Sequence, residues 1–207
     1  DPSGYTSAKP YRQRHSRQGD IVNSEVWYTG APASNYAFKG YDTFINTYKD
    51  RTPMLYVGGN DGMLHGFSAK DGSEKIAYVP QGVIPHLNQL TAPAYNQQHR
   101  YFVDGSPMTG DVDINNAPDK FDPTDKHEST YTPNWRTLLV GTLGAGGRGY
   151  FVLDVTDPAN FSAAQAANLV VLDRTRSAEV SPPDCTLEEL TDAQKTACAQ
   201  TVAEDRD

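Results

Sequence analysis

Long apolar runs are missing from this sequence of 207 residues: no stretch of about 18 apolar residues occurs, so no segment is suited to cross a membrane as a helix. Basic residues are also scarce, with 18 Lys and Arg against 26 Asp and Glu, for a net charge of −8. A nucleic-acid binder displaces phosphate counterions with clustered positive charge, so this balance argues against nucleic acid as a partner. Only two cysteines occur, Cys185 and Cys198, with no C-x-x-C pair and no nearby His to complete a zinc ligand set. Ser106 follows Gly105 but lacks the Gly-x-Ser-x-Gly elbow of hydrolases. The Gly144–Gly149 stretch lacks the Lys-Ser/Thr ending of a phosphate loop, and a strand pattern follows it where a helix is required. No signal-peptide pattern opens the chain. Asp1-Pro2-Ser3-Gly4 reads as an entry point within a longer polypeptide, in which case that absence says nothing about export.

What is present points to short strands and many turns. Hydrophobic residues make up 37%, alongside 17 Gly and 14 Pro, and the 12 Tyr outnumber Phe and Trp together. Acidity gathers in the tail: Asp173 to Asp207 holds nine acids and four bases, the composition of a solvated segment.

The chain also repeats itself, the pattern to look for first. Leu55-Tyr56-Val57-Gly58 matches Leu138-Leu139-Val140-Gly141, and each is followed by a Gly-bearing turn and a second apolar strand, Met63–Phe67 and Tyr150–Val155. Upstream, Ser24-Glu25-Val26 matches Ser106-Pro107-Met108; Ser24 to Ser106 spans 82 residues and Gly58 to Gly141 spans 83. Each unit reads as four antiparallel strands. The first takes about 20–29, 53–58, 63–68 and 75–79, the second about 102–114, 136–141, 149–155 and 169–173. Asn60-Asp61-Gly62 supplies the positive φ that a tight hairpin needs. Four strands per repeat is the build of a propeller blade, so the expected class is all-β: one partial β-propeller domain over 1–207, with blades at about 20–79 and 101–173. Two blades cannot close a ring, so the remaining blades are expected beyond Asp207 or in another chain.

Insertions at about 31–52, 81–100, 115–134 and 178–207 are expected as ordered surface loops. Ser162–Asn168 suits a short helix, and Thr186-x-x-Glu189 is a capping box for another in the tail. For Cys185 and Cys198 two readings stand: a disulfide clipping that tail helix, worth about 3 kcal/mol in the chain-entropy model, or two free thiols. His65, between Leu64 and Gly66 on an apolar strand, reads as a satisfied blade histidine, with a ligand as the alternative; His86, His99 and His127 fall in loops without ligand spacing.

Several stretches resemble one family, the PilY/PilC type IV pilus proteins. They are Gly19-Asp20-Ile21-Val22-Asn23-Ser24, Pro53 through Phe67 with its Gly59-Asn60-Asp61-Gly62 turn, Tyr101-Phe102-Val103-Asp104-Gly105-Ser106-Pro107, and Gly141 through Thr156. The resemblance runs over about Gly19 to Asp173, less the insertions. It implies a modified, quinoprotein-like propeller with blades of four strands, exported to the pilus tip, outer membrane or cell surface of a Gram-negative bacterium. It further implies support of pilus assembly, retraction control, twitching motility and adhesion, with minor pilins or other pilus components and a host-cell or surface receptor as partners. Some members bind calcium in a propeller loop. A candidate here is Asp111, Asp113, Asn115, Asp119 and Asp122, which place oxygens at positions 1, 3, 5, 9 and 12 of a calcium loop, with Asn116 where that loop has Gly. The other reading of this stretch is a strand end followed by an acidic loop. No organic cofactor and no enzymatic activity are expected. The rivals are a quinoprotein dehydrogenase, whose adjacent Cys-Cys pair is absent, and a secreted adhesin independent of any pilus. The insertion loops, including the Tyr-rich stretch Tyr36–Tyr48, either provide contact surface or pack on the propeller rim.

Overall fold

The computed structural model describes residues 11–12, 14, 16, 18–93, 95–97, 99–115 and 131–177. Cys185, Cys198, the capping box of the tail, Asp119 and Asp122 lie outside the described residues. Two four-stranded antiparallel sheets carry the fold. The first runs β1 (Trp27–Thr29), β2 (Met54–Gly58), β3 (Leu64–Ser68) and β4 (Glu74–Tyr78), neighbours in space as in sequence. The second takes β5 (Met108–Asp113), β6 (Trp135–Thr142), β8 (Tyr150–Asp154) and β9 (Val170–Asp173). Between β6 and β8, the short β7 (Gly147–Arg148) pairs with β10 (Arg176–Ser177).

The two sheets share more than strand number. Gly58 pairs with Leu64 in the first and Gly141 with Phe151 in the second, so the central hairpins are in equivalent register. Gly62, at φ 93, closes the β2–β3 turn in a backbone region that L side chains avoid. Both outer strands slip register within one residue of equivalent places, between Gly66 and Phe67 and between Val152 and Leu153. The slip leaves Lys75 and Val171 as the extra residues of β4 and β9. A bulge on an edge strand interrupts the row of free backbone groups and blocks strand addition, and at β4 a lysine reinforces it.

One core fills the space between the sheets. Met54, Tyr56 and Leu64 from the first pack with Leu139, Phe151 and Leu153 from the second, joined by Val83, Phe102, Val103 and Leu143 from connecting segments. Tyr78 bridges the outer ends: its ring lies 5.1 Å from that of Phe151 and its hydroxyl donates to Asp173 at 2.5 Å. The opposite face of the second sheet carries an apolar row, part of it exposed among the described residues. Met108, Val140, Val152 and Leu172 form one cross-strand row there, with Met108 56% and Val140 38% exposed.

The structure departs from the expected elements in four places, the first being that only Met108–Asp113 of the strand expected at 102–114 forms. Of 20–29, only Trp27–Thr29 is strand; upstream, side chains satisfy backbone groups that a ladder does not, as where the Gly58 N–H donates to the Ser24 hydroxyl at 2.8 Å. Within the 31–52 insertion, α1 (Tyr41–Tyr48) forms because Tyr41, Phe44 and Tyr48 recur at helical spacing, and Tyr41 and Phe44 bury themselves against Trp135. The 81–100 insertion is a succession of tight 3₁₀ turns over Gln81–Thr91, with Pro85 inside it, and Tyr95–Gln97, pinned by buried Val83, Leu90 and Tyr95. The short helix expected at 162–168 is α2 (Ala166–Leu169).

Candidate functional site between β1 and β5

The leading strands of the two sheets lie side by side, and the bonds across them join residues one repeat apart. The Asn23 N–H and Nδ2 donate to the two Asp104 carboxylate oxygens at 3.2 and 2.7 Å. The Glu25 N–H donates to the Ser106 hydroxyl at 3.0 Å, and the Trp27 Nε1–H to the Thr109 hydroxyl at 2.9 Å. Thr29 and Thr109 share a further hydroxyl pair at 2.9 Å. These separations of 80 to 82 residues match the sequence repeat. Equivalent positions meet in this way when neighbouring blades are related by rotation about an axis near their first strands.

A cleft of about 380 Å³ opens on this seam, lined by Trp27, Tyr28, Thr109, Asp111, Arg51 and Thr137 together with the Gly30–Ser34 segment. Arg51 reaches it from the chain just after α1. Its Nε donates to the Gly30 carbonyl at 2.6 Å, and Nη1 donates to the Thr137 hydroxyl at 2.8 Å and the Thr156 carbonyl at 3.0 Å. Burial lowers the Arg51 pKa, and Asp111 opposes that shift. Asp111 accepts from the Thr137 hydroxyl at 2.6 Å, the Tyr41 hydroxyl at 2.7 Å and the Ser34 hydroxyl at 3.3 Å. Gly40, at φ 75, starts α1 and so aims Tyr41 at this carboxylate; burial, then the Asp111 bond, raises the phenol's pKa. The Tyr-rich stretch thus packs against the second sheet: Tyr36 stacks on Trp135 with 5.6 Å between centroids, and the Trp135 Nε1–H donates to the Lys39 carbonyl at 2.9 Å.

The candidate calcium loop begins in the same strand. Asp113 accepts from the Asn134 N–H at 2.7 Å, the Asn115 N–H at 3.2 Å and the Tyr131 hydroxyl. Burial and that bond push Tyr131 up to about 12. The Asn115 Nδ2 donates to the Thr132 carbonyl at 3.0 Å. Asp111 and Asp113 therefore fasten β5 to the 31–52 insertion and to the return into β6. Among the described residues no group of three or more His, Cys, Asp or Glu is placed to hold a metal ion.

A second polar centre surrounds the Asn60-Asp61-Gly62 turn. Asn60 accepts the Phe102 N–H on Oδ1 at 3.0 Å and gives its own N–H to the Asp20 carbonyl at 3.0 Å. Asp61 accepts the Gly19 N–H at 2.6 Å. His65 lies 3.1 Å through Nε2 from Asp61 and 2.6 Å through Nδ1 from Glu74. Neutral imidazole has one N–H, so only the imidazolium serves both carboxylates. Burial acts to lower the His65 pKa, but the two carboxylates outweigh it and the net shift is upward. Arg51 and this turn are the organising residues that sequence reading missed as such. The Asn-Asp-Gly motif marked the turn, but nothing near Arg51 marked its burial.

A family model described as the PilY1 beta-propeller domain matches residues 18–177. The chain is 40% identical over 164 residues to the type IV pilus biogenesis factor PilY1 of Pseudomonas aeruginosa (strain UCBPP-PA14), covering 75% of this chain and 13% of that protein. It is 40% identical over 156 residues to a type IV pilus biogenesis factor PilY1 homolog of Xylella fastidiosa, covering 72% of this chain and 11% of that protein. The crystal structure of the Pseudomonas aeruginosa PilY1 C-terminal domain is similar at 31% identity and a TM-score of 0.46, over 75% of this chain and 26% of that one.

Proposed function

This chain belongs to the PilY1 β-propeller domain family, and on that footing we propose that it is part of the propeller scaffold of a type IV pilus biogenesis factor. The observation that carries the reading is the pair of equivalent sheets joined one repeat apart, with an apolar row of Met108, Val140, Val152 and Leu172, exposed at Met108 and Val140 among the described residues, on the far side of the second. Such a face needs cover, and a further blade packing as the first sheet packs on the other face supplies it. The scaffold presents its insertions to minor pilins or other pilus components and to a host-cell or surface receptor, serving assembly, retraction control, twitching and attachment. Its place is outside the cell: at the pilus tip, in the outer membrane or on the cell surface. The role is one of binding and support, without catalysis.

Deleting residues 18–177 from the encoding gene is expected to remove surface pili and twitching, with both restored by the intact gene. Normal pili and twitching with lost attachment point to a pilus-independent adhesin and overturn the proposal. Alcohol oxidation by the purified protein with added pyrroloquinoline quinone and calcium overturns it in favour of a dehydrogenase.

Calcium is a second proposal, for Asp111, Asp113, Asn115, Asp119 and Asp122. It is supported by oxygen spacing and by the placement of Asp111 and Asp113 two apart, on one side of β5. Calcium is expected to raise the melting temperature, and Asp119→Ala to abolish that rise. An identical response in the variant removes the loop as the site.

A further inference from the structure

The donors and acceptors lining the cleft between β1 and β5 are not all used within the protein. A guanidinium has five N–H groups. Those on Nε and Nη1 of Arg51 are held by Gly30, Thr137 and Thr156, while Nη2 has no protein acceptor among the described residues. A carboxylate offers about four lone-pair sites, and Asp111 uses three, for Tyr41, Ser34 and Thr137. The Thr137 hydroxyl touches Arg51 at 2.8 Å and Asp111 at 2.6 Å, so it locks both groups within one hydroxyl of each other. Two aromatic residues, Trp27 at 39% and Tyr28 at 61% exposure, also line the cleft. Because the Trp27 N–H is bound to Thr109, that residue offers ring surface and no free donor.

We propose that this cleft binds a neutral saccharide, with two neighbouring hydroxyls between Arg51 and Asp111 and an apolar sugar face against Tyr28. The chemistry selects the class. A sugar hydroxyl both donates and accepts, so a neighbouring pair answers a fixed donor and a fixed acceptor at once. An anion drawn to Arg51 meets Asp111, and an apolar ligand desolvates both charges without replacing their bonds. The cleft's volume, about 380 Å³, lies within the range of about 300–1,000 Å³ typical of small-molecule sites. The inference goes beyond the pilus reading and does not depend on it, because binding is read on the chain itself.

The test is an NMR titration of the full chain, in EDTA, with methyl α-mannoside and methyl β-galactoside in separate arms and sodium acetate in a third. The two indole N–H signals report independently, since Trp27 lines the cleft and Trp135 is bonded to the Lys39 carbonyl. At least one glycoside is expected to shift the Trp27 signal saturably while Trp135 stays fixed, with a Kd of about 1–10 mM. Tyr28→Ala, at an exposed site, is expected to weaken that binding about tenfold without moving the melting temperature. The proposal is overturned if neither glycoside gives a saturable Trp27 shift, if acetate alone does, or if Tyr28→Ala binds as the parent does.

Discussion

Phe151→Ala is expected to lower the unfolding free energy by about 3–5 kcal/mol, measured by urea denaturation of the chain. The reason lies in how the ring is housed. Phe151 is fully buried on β8, between Gly141 on β6 and Asp173 on β9. Its ring occupies the space that a side chain at position 141 would need: a Cβ on Gly141 falls 2.2 Å from the Phe151 Cζ. The Tyr78 ring, 5.1 Å away and tilted by 52°, packs the first sheet's outer strand against it. Truncation leaves a cavity shared by both sheets, which rigid neighbouring strands cannot close. The same geometry makes the two positions interdependent. Gly141→Ala alone forces a methyl into an aromatic ring, while combining it with Phe151→Leu relieves the overlap, so the double variant is expected to cost less than the sum of the singles. A Phe151→Ala cost below about 1.5 kcal/mol, or strict additivity of the pair, is incompatible with this core.

The parts of the fold that the sequence made legible are those specified locally. β2, β3, β6 and β8 stand at the apolar runs because a central strand of a sheet packed on a core needs little beyond apolar residues and turn chemistry at its ends. The repeat was legible for the same reason, and the bonds from Trp27 to Thr109 and from Glu25 to Ser106 across the seam join residues about one repeat apart. α1 was hidden because its stretch is rich in Asn, Thr and Tyr, and its helical spacing acquires meaning only against Trp135, far along the chain. The candidate site divides in the same way. Asp111 and Asp113 announced themselves as acids in a strand, but the partners that fix the role of Asp111, Tyr41 and Ser34, lie 70 and 77 residues away. Arg51, beside Asp50 at the end of a polar stretch, reads as one more surface charge, and only the approach of Thr137 and Thr156 turns it into a half-buried clamp. Long-range polar contacts of this kind leave no periodicity to read.

Asp61→Ala is expected to cost about 3–5 kcal/mol, because it leaves a buried imidazolium with one partner in place of two. The side chains of His65 and Asp61 are 5% and 1% exposed, so water cannot replace the missing carboxylate. The Gly19 N–H loses its acceptor as well, loosening the segment before β1 from the turn. Asp61→Asn keeps an oxygen for Gly19 without the charge, and is expected to recover part of the loss. The pH dependence identifies the ionic contribution. His65 has its folded pKa raised above 6.5, so its stabilisation is complete below about 6.5 and disappears as pH rises through the raised value. Burial acts to raise the Asp61 pKa, but the bonds from His65 and Gly19 outweigh it and hold it below 3.8, so its contribution is present above about 3.8 and is lost as pH falls through the depressed value. The stability difference between parent and Asp61→Ala is therefore largest between those limits, near pH 5–6, and narrows toward pH 9. A difference that stays constant from pH 5.5 to 9, measured in urea at about ten pH values, means that the ring does not lose its second proton in that range or never carried it, and the doubly bonded imidazolium no longer accounts for the cost of the substitution.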